Sequence, residues 1–160
     1  MSTPRDLAAE ARAIVDSNRY MTIASADSSG TPWASPVYFT PDGYTDFYWV
    51  SSPTSRHSSN IAVRPEVSIV VFDSQVPVGG AQAVYVSATA GIVPDAELER
   101  CSAIYNSRDP QLEGVAVKDM IGPGLFRLYR ATAVEHSLLI RGRDPLHSSE
   151  TDARLPVDPR

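Results

Sequence analysis

Two hydrophobic periods alternate along the chain. Leu7, Ala8, Ala11, Ile14 and Val15 recur on one helical face, which predicts a helix over residues 6–18, with Ser2 or Thr3 capping it ahead of Pro4. From Tyr20 to Ala26 the period drops to two and β-formers dominate, and D-S-S-G at 27–30 supplies a hairpin turn. The next strands read T-P-W-A-S-P-V-Y-F-T at 31–40 and D-F-Y-W-V-S-S at 46–52, with a turn marked by P-D-G at 41–43. A short helix over 55–63 must stop before Pro65. The nearly continuous apolar run at 66–73 predicts a strand buried on both faces. After a loop with Pro77, Gly79 and Gly80 comes a long strand at 82–93, whose Ala83, Ser87, Ala88, Ala90 and Gly91 predict close packing or curvature. Asp95 is placed to cap a helix over 96–107, a second helical piece spans 112–121 and ends at G-P-G, and the last strand runs over 125–140.

Six strands in mostly antiparallel order, with a few helices inserted, predict an α+β protein, mainly β, built on a closed or partly open barrel. Residues 1–140 make the domain. Beyond 141 charge, proline and serine dominate, and the tail over 141–160 is expected to be extended or disordered.

Composition narrows the function. With a net charge of −5 and scattered arginines (Lys118 is the single lysine), no basic surface is predicted for nucleic acid. No run approaches the roughly 18 apolar residues of a membrane span, and the N-terminus lacks a signal-peptide core. Cys101 stands alone, so neither an internal disulfide nor a cysteine-based zinc site is expected, and on its helix it reads as a small buried apolar residue. His136 and His147 lack a partner acid at a telling spacing, and no metal site is expected. The expected location is the cytoplasm.

The candidate chemistry lies at 51–60. Ser51, Ser52, Thr54 and Ser55 offer hydroxyls, and Arg56 and His57 offer charge where a helix starts. Hydroxyls, a guanidinium and free N–H groups at a helix N-terminus suit a phosphate. The same run also fits a polar turn whose serine caps the next helix. Trp33, Tyr38, Tyr48 and Trp49 read as core or interface aromatics.

The order helix, hairpin, phosphate-type turn, apolar strand and glutamine-led strand resembles the pyridoxamine 5′-phosphate oxidase-like flavoproteins, the FMN-binding split barrels. The resemblance covers about residues 6–140. It is carried by M-T-I-A-S-A-D-S-S-G-T-P-W-A-S-P-V-Y-F, by F-Y-W-V-S-S-P-T-S-R-H-S-S-N-I-A-V-R-P-E-V-S-I-V-V-F and by G-A-Q-A-V-Y-V-S-A-T-A-G-I-V. It implies a six-stranded antiparallel split barrel, with FMN in a cleft at the interface of a homodimer. Ala34, Ser35, Pro36, Val37, Tyr38 and Phe39 would run along the flavin and ribityl chain. Val50 and Ser51 would add backbone and hydroxyl contacts. Arg56 and His57 take the positions of the phosphate-holding basic pair, and Gln82 takes that of the glutamine contacting the cofactor.

Two positions depart from the family pattern. His57 stands where lysine is usual, and the C-terminal tryptophan and arginine motif of the true oxidases has no clear match, with only Arg127, Tyr129 and Arg130 on offer. The implied function is therefore an FMN-dependent oxidoreductase acting on a small molecule other than a B6 vitamer, with a nicotinamide or oxygen completing the electron transfer. The flavin carries such chemistry, so no acid–base pair is required and no residue is singled out as catalytic. The alternatives are a deazaflavin-dependent reductase and a non-catalytic flavin- or haem-binding carrier or sensor.

Overall fold

The computed structural model describes residues 5–145 and 150–160, and one antiparallel sheet of eight strands organises it. In chain order the elements are α1 (Leu7–Ser17), β1 (Tyr20–Ala26), β2 (Pro32–Tyr38), β3 (Thr40–Asp42), β4 (Asp46–Ser51), α2 (Arg56–Val63), β5 (Glu66–Phe72), β6 (Ala83–Ile92), α3 (Asp95–Ser107), β7 (Arg127–Ile140) and β8 (Ala153–Val157). Their order across the sheet is β2-β1-β5-β6-β7-β4-β3, with β8 also on β7. The sheet curls until β2 approaches β4, to which it is not ladder-bonded. The result is a half-open barrel, the mainly β architecture that the pattern predicts.

The long β7 makes the curl possible. Its first half pairs with β4 through Arg127 to Thr132, and its second half pairs with β8 through His136 to Ile140. Between the halves the β6 register shifts: Ser87 faces Glu135 and Ala88 faces Ala133, so Val134 is the extra residue of a bulge. A bulge bends its strand and sharpens the twist. The small residues of β6 that predicted curvature lie opposite that bend.

Two cores result. Ala11, Ile14 and Val15 of α1 plug the barrel against Ile23, Ile69 and Val86. Leu98 and Cys101 of α3 cover Met120 and Leu128 on the outside. Strand β4 serves both: Phe47 and Trp49 point into the barrel while Tyr48 points under α3, and all three are completely buried. That two-sided burial explains the unbroken aromatic run F-Y-W. Cys101 donates to the Tyr48 hydroxyl at 3.5 Å, and burial, reinforced by that contact, pushes the phenol up to about 12.

Several local expectations are corrected. The 31–40 run is two strands, because the Phe39 N–H turns to the Arg19 carbonyl and β3 begins beyond it. Pro41 and Asp42 belong to β3, and the turn is residues 43–45, with Gly43 and Tyr44 both at φ 56°. Strand β5 is not buried on both faces: Val67, Ile69 and Val71 are buried, whereas Glu66, Ser68 and Phe72 are exposed. One wet face is usual for antiparallel sheets.

Helix boundaries shift as well. Asp6 caps α1 by accepting from the Ala9 N–H at 3.0 Å, while Ser2 and Thr3 lie outside the described residues. Asp95 is the first residue of α3 rather than its cap; Pro94 holds the cap position without a side-chain bond. The 112–121 piece contains only a 3₁₀ turn, Val117–Asp119. There the Asn106 amide bonds both the N–H and the carbonyl of Val115, holding the chain extended. Strand β7 starts at Arg127, past Leu125 and Phe126. Within the tail, Leu155 and Val157 of β8 pack against the barrel core. Among the described residues no helix is long and apolar enough to cross a membrane.

Candidate functional site

At one mouth of the barrel the chain leaves β4 through a hydroxyl-rich turn. The Ser52 hydroxyl accepts from the Thr54 N–H at 3.2 Å and shares a proton with the Thr54 hydroxyl at 2.9 Å. Ser55 caps α2, its side chain accepting from the Ser58 N–H. Arg56, the first residue of α2, is exposed, and its guanidinium carbon lies 4.3 Å from the centre of the Trp33 ring. A cation over an indole face is attracted by the ring quadrupole, so the guanidinium is held without a carboxylate partner among the described residues. Asp27 of the β1–β2 turn is held below the usual carboxylate range by the Ser29 hydroxyl first and the Thr31 N–H next, with a smaller contribution from Arg56.

His57 turns the other way. It is buried, with Nδ1 3.2 Å from the Ser35 hydroxyl and Nε2 2.9 Å from the Ser51 hydroxyl and 3.2 Å from that of Ser55. Burial depresses its pKa below the ordinary 6.5. One residue turn further along α2, the buried Asn60 amide donates to the Ser25 hydroxyl at 3.1 Å. The structure therefore brings Ser35, Ser51, His57 and Arg56 together. The sequence signals the links from Ser35 and Trp33 only through their alternation onto one face of β2, the face that meets α2 in the structure.

Strand β2 is the open edge of the sheet. Phe39 bonds inward to Arg19 and Thr31 inward to Asp27, so the odd positions face β1. The even positions, Pro32, Ala34, Pro36 and Tyr38, direct their backbone groups outward, and the two prolines remove donors from that edge. Ala34 and Pro36 are exposed, Ser35 and Tyr38 half-buried, Val37 and Phe39 buried. Val50 and Ser51 are half-buried. Gln82 is exposed in the loop before β6 and makes no side-chain hydrogen bond to the α2 cluster among the described residues. The Pro65 carbonyl, just past the C-terminal end of α2, accepts from the Ala90 N–H, near the opposite end of β6 from Gln82.

The C-terminal candidates are engaged elsewhere. Arg127 donates to the carbonyls of Gly122, Gly124 and Phe126; Arg130 pairs with Glu97 at 2.7 Å; Tyr129 stacks on Trp49 at 5.4 Å. His136 is buried, with Nε2 donating to the Tyr44 carbonyl at 2.8 Å, and burial lowers its pKa. His147 lies outside the described residues. Among the described residues no three His, Cys, Asp or Glu side chains are grouped to hold a metal.

Both described imidazoles thus favour the neutral form in the fold. Near pH 6.5 and below, the unfolded chain binds more protons than the folded one. Stability should be full above that pH and should fall as the pH descends through the depressed folded values. Thermal melts taken downward from about pH 7.5 should show a falling Tm beginning near 6.5. A Tm that stays level until carboxylates titrate would contradict the burial of these rings.

The half-open antiparallel barrel, with an unpaired edge strand beside a helix-start arginine, defines a split-barrel protein. Residues 7–137 match the sequence profile of the family described as pyridoxamine 5′-phosphate oxidase, and the chain belongs to that family. No curated protein matches significantly by sequence. Among solved structures it is similar to a haem-binding protein from Mycobacterium smegmatis, with TM-score 0.71 and 20% identity over 97% of this chain. The chain spans 60% of the length of that protein. It is also similar to HutZ, a haem storage protein from Vibrio cholerae (TM-score 0.61, 21% identity, 89% of this chain and 100% of that one). An F420 reductase gives TM-score 0.57 at 21% identity over 79% of this chain and 94% of that one. These likenesses establish the shared fold.

Proposed function

We propose that the chain binds FMN and acts, as a homodimer, as a small oxidoreductase on a small molecule. The observation that carries this reading is the exposed Arg56 at the N-terminus of α2, held over Trp33 beside the open edge of β2. The fit to a flavin phosphate is chemical: a guanidinium without an ion-pair partner among the described residues, the hydroxyls of Ser52 and Thr54, and a helix start suit an anion. Outward backbone groups at Ala34 and Tyr38 suit the hydrogen-bonding rim of a flavin ring. When bound, the flavin supplies hydride transfer at N5. The residues of the chain bind and orient: Arg56 neutralises the phosphate, β2 fixes the ring by its backbone, and Trp33 keeps water from the guanidinium face.

Apolar residues on the open face of the sheet support the dimer. Phe72 is 46% exposed and Val134 66%. A second subunit covering Phe72 would also reach the start of β6, where Ala83 pairs with Phe72 and Gln82 precedes it. Sedimentation showing a stable folded monomer at micromolar concentration would remove that element.

Haem, bound by two of the similar proteins, needs an axial ligand. Among the described residues, His57 and His136 are buried with ring nitrogens engaged, and Cys101 is buried against Tyr48, which favours flavin. A deazaflavin carries a longer acidic tail, for which a chain of net charge −5 offers little compensation. Absorbance of the purified, FMN-reconstituted protein tests the reading. Two flavin bands retained after gel filtration support it; a Soret band on haem addition with no retained flavin overturns it.

A further inference from the structure

His57 occupies the first turn of α2, where a cation would meet a ligand anion, yet its ring is directed into the barrel wall. We propose that His57 is the positioning residue of the α2 turn: as a neutral ring it ties Ser35, Ser51 and Ser55 into one cluster and so presents Arg56 to a ligand phosphate while supplying no charge of its own. The identity of that ligand rests on the flavin reading above; the tie itself rests on the geometry.

Proton bookkeeping fixes the form of the tie. The Ser55 hydroxyl donates to the Ser58 hydroxyl at 2.8 Å, so its 3.2 Å contact with Nε2 takes its proton from the ring. Nε2–H therefore faces the oxygens of Ser51 and Ser55, and Nδ1 is the acceptor for the Ser35 hydroxyl. The three serines come from β2, β4 and the cap of α2. Strands β2 and β4 approach each other without a shared ladder, and the imidazole spans that gap.

The surroundings discourage a charged ring. Of the elements around it, β1 carries only Tyr20, β2 only Tyr38 and β6 only Tyr85 as titratable groups. On β4, Asp46 lies five residues from Ser51, toward the opposite end of the strand. On α2 itself the charged groups are Arg56 and, at its end, Arg64. Asp27 of the β1–β2 turn, the carboxylate within electrostatic reach of Arg56, is taken up by the Ser29 hydroxyl and the Thr31 N–H. A protonated His57 would thus be buried beside an arginine with no carboxylate bonded to its ring among the described residues, in line with the lowered pKa. Lysine at this position would place an ammonium among three hydroxyls in the same wall.

Two measurements on the full chain decide the matter. The first needs no flavin: an NMR titration of the His57 ring should give a midpoint below 6.5 and the Nε2–H tautomer. An ordinary or raised midpoint overturns the tie. The second follows FMN binding by fluorescence in the parent, His57→Gln and His57→Lys. Glutamine, uncharged and able both to donate and to accept, should keep binding within about 3-fold, whereas lysine should weaken it by about 10-fold or more. Acidification from about pH 7.5 to about 5.5 should weaken the parent more than His57→Gln, since protonation of the FMN phosphate is common to both. Tighter binding by His57→Lys, or a parent that gains on His57→Gln as the pH falls, would show that the ring supplies charge. A parent that binds no FMN refutes the flavin reading, and the ring titration then still decides the tie.

Discussion

Replacing Arg56 by alanine should weaken FMN binding by about 10- to 150-fold. That range corresponds to the loss of one charge-assisted phosphate contact, about 1.5–3 kcal/mol. The side chain is exposed and, among the described residues, rests on the face of Trp33 without an ion-pair partner, so the fold should barely notice the change. Stability should stay within about 0.5 kcal/mol of the parent. Arg56→Lys should recover only part of the affinity, because a compact ammonium cannot pair in bidentate fashion with a phosphate. Fluorescence titration alongside a denaturant melt separates the two effects. An alanine variant binding FMN like the parent would put the phosphate site elsewhere.

A change at Trp49 should act in the opposite sense, with its main effect on stability through the barrel core. Trp49 is completely buried in the barrel and stacks on Tyr129 at 5.4 Å with an interplanar angle of 16°. Trp49→Ala should cost about 3–5 kcal/mol, the range for truncating a large aromatic in a packed core. Its Nε1 has no hydrogen-bond partner among the described residues, so packing accounts for the contribution of the side chain. Trp49→Phe, which keeps a ring beside Tyr129, should therefore cost much less than the alanine change. Urea unfolding of the three proteins measures this; an alanine variant within about 1 kcal/mol of the parent would contradict the core assignment.

The barrel and its α2 turn were largely legible in the sequence because the signals there are local. The alternation from Tyr20 to Ala26, the Asp-Ser-Ser-Gly turn and the serine cap before Arg56 all act within a few residues. What escaped the pattern depends on distant partners. The two-sided burial expected of β5 fails because its second face is left open by the antiparallel sheet, which hydropathy along one strand does not register. The helix expected at 112–121 loses to Asn106, which takes both backbone groups of Val115 from outside the segment. Strand β8 is too short, and too interrupted by Pro156, to show a period, and it forms because the second half of β7 offers it an edge. The direction of His57 was hidden for the same reason. Its position in the sequence suggests a cation at a helix start, and only the convergence of Ser35 and Ser51 from two other strands turns it inward.

If the α2 turn holds the phosphate of a flavin, FMN and riboflavin must differ in their dissociation constants on the parent protein. The two ligands share the ring and the ribityl chain and differ in the phosphate alone. Loss of the Arg56 contact together with its hydroxyl neighbours should make riboflavin bind at least about 10-fold more weakly than FMN, and by no less than Arg56→Ala weakens FMN. Equal affinities for the two would contradict the account.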